Sequence, residues 1–417
     1  MAGPLARTHV VGAGMAGLAT AVGLAERGRT VSLYEAAAHA GGRCRSYHDS
    51  ELGCRIDNGN HLLLAGNDSA MAYLGMIGAR DTLEGPDEAD LAFADFDANL
   101  RWHLRPSPGR IPWWVLRPDR RVPGTRLRDY LAIRRLRRAP AEATVDAALD
   151  PDTTLFRRLW EPFAVAALNA AVWEGSAALF ARVVDETLGR GGAACRPLVP
   201  REGLSETFVD PALARLRAAG AGVRLGARLR QLVFAEDRVA GLEFDDGPVA
   251  FGSEDQVVLA VPAAIAARLV PDLTVPDDFA PIVNAHFRAE APAGAPLFIG
   301  VIGGTAEWVF RKPGILSVTV SAADELVDTP GEELAPALWE DVAGAYGLGD
   351  CYLPPYRIIK ERRATFRATP AQLLRRPAAQ TRWNNLLLAG DYVDTGLPAT
   401  IEGAIRSGLA AAGLVAG

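Results

Sequence analysis

His9-Val10-Val11-Gly12-Ala13-Gly14-Met15-Ala16-Gly17 and, after one helix length, Val31-Ser32-Leu33-Tyr34-Glu35 decide how this chain begins. A short apolar strand runs into three glycines at G-x-G-x-x-G spacing, and Leu18 to Glu26 reads as a helix. The first glycine permits a tight turn, the second lets backbone approach a pyrophosphate, and the third lets helix pack on strand. Amides and dipole at the helix N-terminus then favour phosphate, with Ala13, Met15 and Ala16 lining the same turn. Glu35 ends the second strand, where a carboxylate accepts from ribose hydroxyls, and Ala36 follows it. Strand, helix and terminal acid in register predict a dinucleotide site.

Gly41-Gly42-Arg43 follows almost at once. A nicotinamide dehydrogenase has no need of a second glycine pair there. The arrangement resembles flavoproteins of the amine oxidase and phytoene desaturase type, in which this segment passes close to FAD. The resemblance implies FAD as cofactor, with Arg43 reaching its phosphates. Read from the residues alone, the segment could equally be an ordinary loop with a solvated arginine.

Length and composition set the bounds. At 417 residues the chain exceeds one compact core and predicts two closely connected domains. A hydrophobic share of 49% with 23% charged residues describes a folded protein. Cys44, Cys54, Cys195 and Cys351 show neither C-x-x-C nor metal-ligand spacing, which fits a reduced cytoplasmic compartment and predicts no metal site. The residues before the first strand hold no apolar signal segment, and no run approaches the about 18 apolar residues of a membrane span.

Charge is uneven. The net is −6, yet residues 101–138 contain twelve arginines against only Asp119 and Asp129, a local +10. The same stretch holds Ile111-Pro112-Trp113-Trp114-Val115-Leu116. Rings beside cations suit a bilayer interface, which predicts peripheral contact with the inner face of the cytoplasmic membrane through Trp113 and Trp114. The competing reading is a solvated helix, Arg126 to Arg138, behind a loop whose tryptophans are core. Charge alone would also suit nucleic acid, but no binding motif accompanies it, so none is expected.

Residues 1–65 read as β-α-β followed by strands Arg55–Asp57 and His61–Leu64. A helical stretch includes Leu155 to Ala171 and Ala177 to Leu188. Strands return after Pro200, and Val257 to Val261 is a continuous apolar run suited to burial on both faces. Leu229 starts a strand running to Phe234 and joins the candidate cofactor contacts. Near the end, Asn385 to Leu388 leads into Gly390-Asp391, and Thr400-Ile401 opens a closing helix. Asp391 can accept from ribityl hydroxyls, and the helix start can face the flavin pyrimidine. The expected fold class is α/β: a Rossmann-like FAD-binding domain of the amine oxidase/phytoene desaturase type, with an inserted α+β substrate domain. The expected domains are 1–65, 200–264 and 381–417 for the cofactor, and 66–199 with 265–380 for substrate and membrane contact.

Longer blocks narrow the resemblance. Leu159-Trp160-Glu161-Pro162-Phe163-Ala164-Val165-Ala166-Ala167-Leu168-Asn169, Asp57-Asn58-Gly59-Asn60-His61, Ser321-Ala322-Ala323-Asp324-Glu325-Leu326, Lys360 to Phe366 and Gly396 to Gly408 resemble the squalene-associated FAD-dependent desaturases, the hydroxysqualene dehydroxylases of hopanoid synthesis. The likeness spans nearly the whole chain. It departs at Asn60, where the family usually has Gln before the histidine.

The resemblance implies reductive removal of the hydroxyl of hydroxysqualene to give squalene, and transient association with other squalene-synthesis enzymes. It places Gly59, Asn60 and His61 beside the flavin ring. Hydroxide leaves poorly, so a proton donor is needed, and an apolar pocket would keep a carboxylic acid protonated. His61, Asp57 and Glu161 are the candidates. His61 could instead be a structural histidine, Asp57 could organise the Asp-Asn-Gly turn, and Glu161 before Pro162 could be a cap or salt-bridge residue. Other readings remain at this point: a carotenoid or phytoene-type desaturase running redox in the opposite direction, an amine oxidase-like flavoenzyme, or a non-catalytic FAD-binding scaffold.

Overall fold

The central strand β1 (Arg7–Val11) is buried from Thr8 onward because it lies inside a parallel sheet. Its neighbours are β2 (Thr30–Glu35) on one side and Gln256–Leu259 on the other, with Gly222–Leu225 and Leu386–Leu388 at the edges. Helix α1 (Met15–Ala25) is buried over its first ten residues, consistent with its near-absence of polar side chains. The closing helix Ile401–Leu414 lies against it, and Thr20 Oγ1 donates to Gly408 O at 3.0 Å. Residues far apart in the chain thus build one layer. The computed structural model describes residues 6–349 and 352–415, so Cys351 and the outermost residues of the two terminal segments lie outside it.

A seven-stranded sheet forms the second layer, in the order Tyr356–Phe366, Phe279–Phe287, Ile315–Val320, Trp308–Lys312, Phe298–Ile302, Leu91–Asp95, Leu100–Leu104. The amphipathic helix Gly331–Tyr346 packs on one face through Leu334, Leu338 and Val342. The opposite face meets apolar residues of the 113–184 segment, among them Trp114, Phe156, Trp160 and Phe180. The fold is therefore α/β, a parallel layer joined to a mostly antiparallel one.

Three elements differ from the sequence reading, each for a local reason. The helix expected over Leu155 to Ala171 starts as a wide π-type turn at Phe156–Trp160, continues as Glu161–Leu168, and ends where Asn169 takes φ 48°. Glu161 N donates five residues back to Phe156 O, and the missing amide of Pro162 falls in the first turn of the regular helix. The helix expected over Arg126 to Arg138 is a 3-10 turn, Leu127–Ala132, running into one α turn, Ile133–Leu136. So dense a run of arginines repels itself and offers few apolar positions to bury. The strand expected over His61 to Leu64 pairs only at Leu63–Leu64, with Leu198 and Pro197.

The two adjacent tryptophans part company. Trp113 is 62% exposed, whereas Trp114 is buried edge-on against Tyr130 with ring centroids 5.4 Å apart. The expectation that both reach a membrane is corrected here: in a short 3-10 turn successive side chains point to different sides, and Trp114 takes the core side. Ile111 and Leu116 stay exposed with Trp113. Trp114→Ala should therefore lower unfolding free energy by about 3–5 kcal/mol, and Trp113→Ala should stay within about 0.5 kcal/mol. Urea denaturation of the two variants checks this, and equal losses would contradict the split.

Candidate active site

The glycine turn closes against the neighbouring strand. A side chain at Gly12, which has φ 104°, would fall 2.3 Å from Ala260 O, and one at Gly17 would fall 1.8 Å from Gly12 O. Gly14 is different: a Cβ there would meet nothing within 4 Å. Open space over the second glycine, at the start of α1, is the room a pyrophosphate requires. Met15 and Ala16 form the buried first turn of α1. Glu35 accepts from Ala13 N at 2.7 Å and Ala37 N at 2.8 Å, so its carboxylate also braces the turn, while Ala36 beside it is exposed.

The second glycine pair lies on the first. Gly41 N donates to Ala13 O at 2.8 Å, and a Cβ on Gly42 would contact Gly14 Cα at 3.4 Å. Arg43, next along, donates to Asp391 Oδ2 at 2.6 Å and to Ala364 O. Two residues read separately as phosphate and ribityl contacts therefore face each other. Gly390 N donates to Ser407 Oγ at 3.1 Å, and Thr400 Oγ1 caps the closing helix by accepting from Gly403 N at 3.0 Å, with Ile401 next in line. Leu229 is a buried side chain of the adjoining three-stranded sheet, two residues past Ala227, whose amide binds Glu35 O. These residues fit a dinucleotide: an open cradle, a strand-end carboxylate and a second strand end converge on one side of the parallel sheet.

Asp57 ends the strand Cys54–Asp57 and is buried and fully engaged. Its Oδ1 accepts from Ser46 Oγ at 2.6 Å and Leu204 N at 2.9 Å, and its Oδ2 pairs with Lys312. Burial holds the nearby His61 imidazole down to about 4, with Asp57 opposing and Lys312 and Arg43 adding to the shift, so it is neutral at pH 7. The Glu161 carboxylate forms no hydrogen bond or ion pair among the described residues. Burial raises its carboxyl against the lowering effect of Arg157. Glu307, which accepts from Ser321 N at 2.7 Å, is raised to about 7 by burial, and Glu161 adds to that shift.

Sequence reasoning missed Glu307, Lys312, Thr319 and Asn284, because they lie on strands, or in Glu307's case just before one, with no motif. Lys312 alone carried a signal, being one of two lysines, with Lys360, among 44 cationic residues. Asn60 Nδ2 donates to Thr319 Oγ1 at 3.1 Å and Val318 O at 3.2 Å, and Thr319 Oγ1 donates to Asn284 Oδ1 at 2.8 Å. The Asn284 amide lies 3.0 Å from where a Gly59 Cβ would stand. The departure at Asn60 thus still provides an amide, used to seat the Asp-Asn-Gly turn on the seven-stranded sheet.

From that seat a row of directly opposed residues crosses the sheet: Asn284, Thr319, Trp308, Gly300, Phe93, Trp102. Opposed residues share a face. Gly300 leaves the gap across which Phe93 and Trp308 meet edge-on at 5.7 Å, and Phe93 stacks on Trp102 at 5.2 Å. One end of the row is polar and the remainder is aromatic. The indole nitrogens of Trp102, Trp160 and Trp308 are buried without a hydrogen-bond partner among the described residues, and Arg158, paired with Asp95, lies over the Trp102 ring.

A family model described as flavin-containing amine oxidoreductase matches residues 15–416. A hydroxysqualene dehydroxylase of Rhodopseudomonas palustris is 50% identical over 408 residues, 98% of this chain and 97% of that one. One from Zymomonas mobilis is 46% identical, covering 98% of each chain. Among solved structures, cyclohexylamine oxidase from Brevibacterium oxydans superposes with a TM-score of 0.71 over 99% of both chains at 16% identity, a likeness of fold.

Breaking the buried pair isolates the role of Lys312. Lys312→Ala leaves Asp57 charged and uncompensated and should cost about 3–5 kcal/mol in denaturant titrations. Adding Asp57→Asn should recover part of that loss. A single variant as stable as wild type would show that the pair does not hold the strand Cys54–Asp57 to the sheet.

Proposed function

The chain is a member of the flavin-containing amine oxidoreductase family and groups with the hydroxysqualene dehydroxylases, and from that premise we propose that it is an FAD-dependent oxidoreductase that converts hydroxysqualene to squalene for hopanoid synthesis. The observation that supports the substrate class is the row from Asn284 to Trp102. Its polar end adjoins Gly59 and Asn60, and its aromatic remainder suits a long polyene. Desaturases of plant and cyanobacterial origin match at about one-fifth identity, far below the dehydroxylases, so the reductive direction is preferred.

Gly12 to Gly17, Glu35, Ala36, Gly41 to Arg43, Gly59 to His61, Leu229, Gly390, Asp391, Thr400 and Ile401 are the residues proposed to hold FAD. When bound and reduced, the flavin supplies a hydride. Glu161 is the proposed donor of the proton. Asp57 is locked by Lys312 and Ser46, and neutral His61 is a poor acid near pH 7. Glu161 is half-buried and unpaired, and Glu307 nearby helps retain a shared proton. Glu161 would give its proton to the hydroxyl, which would leave as water as the C–O bond breaks, and the hydride that replaces it at carbon would be the chemistry a bound, reduced flavin supplies. The buried face around Trp308 excludes water that would return the alcohol.

No helix among the described residues is long and apolar enough to cross a membrane. Peripheral contact at the inner face of the cytoplasmic membrane is proposed through Ile111, Trp113 and Leu116, because a thirty-carbon polyene is nearly insoluble in water. Transient association with other squalene-synthesis enzymes would serve the same delivery.

Purified protein given hydroxysqualene and a flavin reductant should form squalene, and an unchanged alcohol would refute the activity. Acid precipitation should release FAD into the supernatant, and Gly14→Val should purify without it, since the added side chain fills the open space above the turn. Retained cofactor in that variant would contradict the cradle.

Glu161→Gln should slow turnover by about 10²–10⁴-fold with FAD content unchanged. In the wild type, burial raises the Glu161 carboxyl and raises Glu307 beside it to about 7, so turnover should fall with rising pH as these carboxyls lose their protons. A rate indifferent to Glu161→Gln would remove it as donor.

A further inference from the structure

The cation-rich stretch contains a feature separate from the exposed tryptophan. A cavity of about 360 Å³ opens between the helical turn Ile133–Leu136, the loop that follows, and the helix Val145–Ala148. Three arginines line it, Arg134, Arg135 and Arg138, over a floor of small apolar groups such as Ala139, Ala143 and Ala147. Leu136 and Val145 are buried beneath and fix the two walls.

Charge in this groove is unbalanced. None of the three arginines forms an ion pair or side-chain hydrogen bond among the described residues. Nearby acids are engaged elsewhere: Asp185 binds Arg137 at 2.6 Å, Asp129 caps Arg126 N at 2.7 Å, and Asp146 accepts from Thr144 Oγ1 at 2.6 Å. Glu142, on the connecting loop, is exposed and does not line the cavity. Three unpaired guanidinium groups around a concave, partly apolar floor match a phosphate oxyanion attached to something greasy.

The surroundings select the source of that phosphate. The turn Leu127–Ala132 runs directly into the arginine helix and exposes Leu127 and Leu131. Trp114 on Tyr130 clamps this turn to the one presenting Trp113 and Leu116. Apolar side chains and the groove therefore belong to one continuous surface. We propose that Arg134, Arg135 and Arg138 form a binding site for the phosphate headgroup of an anionic phospholipid, with Trp113 and its neighbours entering the bilayer alongside. The proposal rests on the membrane reading above and adds a defined lipid site to it. A soluble phosphate or diphosphate shares the chemistry but has no use for the adjoining apolar residues.

The test compares FAD-loaded proteins in vesicle co-sedimentation. One variant changes Arg134, Arg135 and Arg138 to Gln. A control removes the same charge elsewhere, at Arg201, Arg217 and Arg268, all exposed. A third changes Ile111, Trp113 and Leu116 to Ser. On phosphatidylcholine–phosphatidylglycerol vesicles at low salt, the groove variant should bind on the order of a hundred-fold more weakly than wild type, since each cation near an anionic surface matters several-fold. The control should bind nearly as well as wild type. The Ile111/Trp113/Leu116 variant should lose its binding to pure phosphatidylcholine, whereas the groove variant should keep it.

Squalene formation from detergent-dispersed substrate tests the activity separately and should be unaffected by the groove changes. Equal losses in groove and control variants would reduce the effect to net charge and overturn the site. So would wild-type protein that ignores phosphatidylglycerol vesicles, or one that binds inorganic pyrophosphate in the groove while giving no preference for anionic vesicles.

Discussion

The hydrogen-bonded run from Asn60 through Thr319 to Asn284 is the constraint on which this molecule is assembled. A polar, dinucleotide-shaped cradle and an apolar, aromatic sheet have opposite demands on solvent, so they cannot share one wall. They can share one edge. Asn60 belongs to the turn that follows the glycine-rich segments, and Thr319 and Asn284 belong to neighbouring strands of the second sheet. A second tie, Lys312 to Asp57, pins the strand Cys54–Asp57 just before that turn. Asp57 and Asn284 are buried and Asn60, Thr319 and Lys312 half-buried, so the buried members lose hydration and depend on their counterparts staying in place. The two sheets are thereby held in a definite register at the point where chemistry is proposed.

That register also explains the disposition of acids. Carboxylates that hold the architecture are saturated with partners. Asp57 has Lys312, Ser46 and Leu204 N, and Glu402 accepts from Ser69 N, Ala70 N and Arg406. Glu161 and Glu307 are different. Neither carboxylate has an ion-pair partner among the described residues; burial raises both, against the nearby Arg157 charge at Glu161 and the Ser321 hydrogen bonds at Glu307, and Glu161 adds to the difficulty of ionising Glu307. A protein that must hold a proton near an apolar substrate benefits from leaving such a pair uncompensated.

Surface charge follows a related division. Many arginines of the parallel-sheet layer and the second sheet are paired, as Arg367 is with Glu174, Asp278 and Asp324. The segment over residues 101–138 contains too few acids for pairing. Arg105, Arg117 and Arg137 find partners in Asp90, Asp119 and Asp185, while Arg134, Arg135 and Arg138 are left unpaired among the described residues after the exposed Leu127 and Leu131, an arrangement that costs little in water and gains most beside an anionic surface.

Local chemistry in the sequence was enough for the parallel-sheet layer. Glycine spacing, a strand ending in Glu35, the Gly-Gly-Arg segment and the terminal Gly-Asp all encode backbone geometry within a few residues of themselves, so β1, α1, β2 and the closing helix were legible in advance. The same holds for the hairpin of Leu229–Ala235 with Arg238–Phe244. Sequence could not separate Trp113 from Trp114, because neighbours in an irregular turn have no periodicity to sort them. It could not rank Asp57, His61 and Glu161 either, since a titratable group's behaviour is set by partners that arrive from elsewhere in the chain. Lys312 comes from 255 residues beyond Asp57, and Thr319 lies 259 residues from Asn60. The row from Asn284 to Trp102 draws single residues from six strands, and only strand pairing puts them in line. Motifs specify what one stretch of backbone can do, whereas desolvation and cross-strand register exist only once distant stretches have packed.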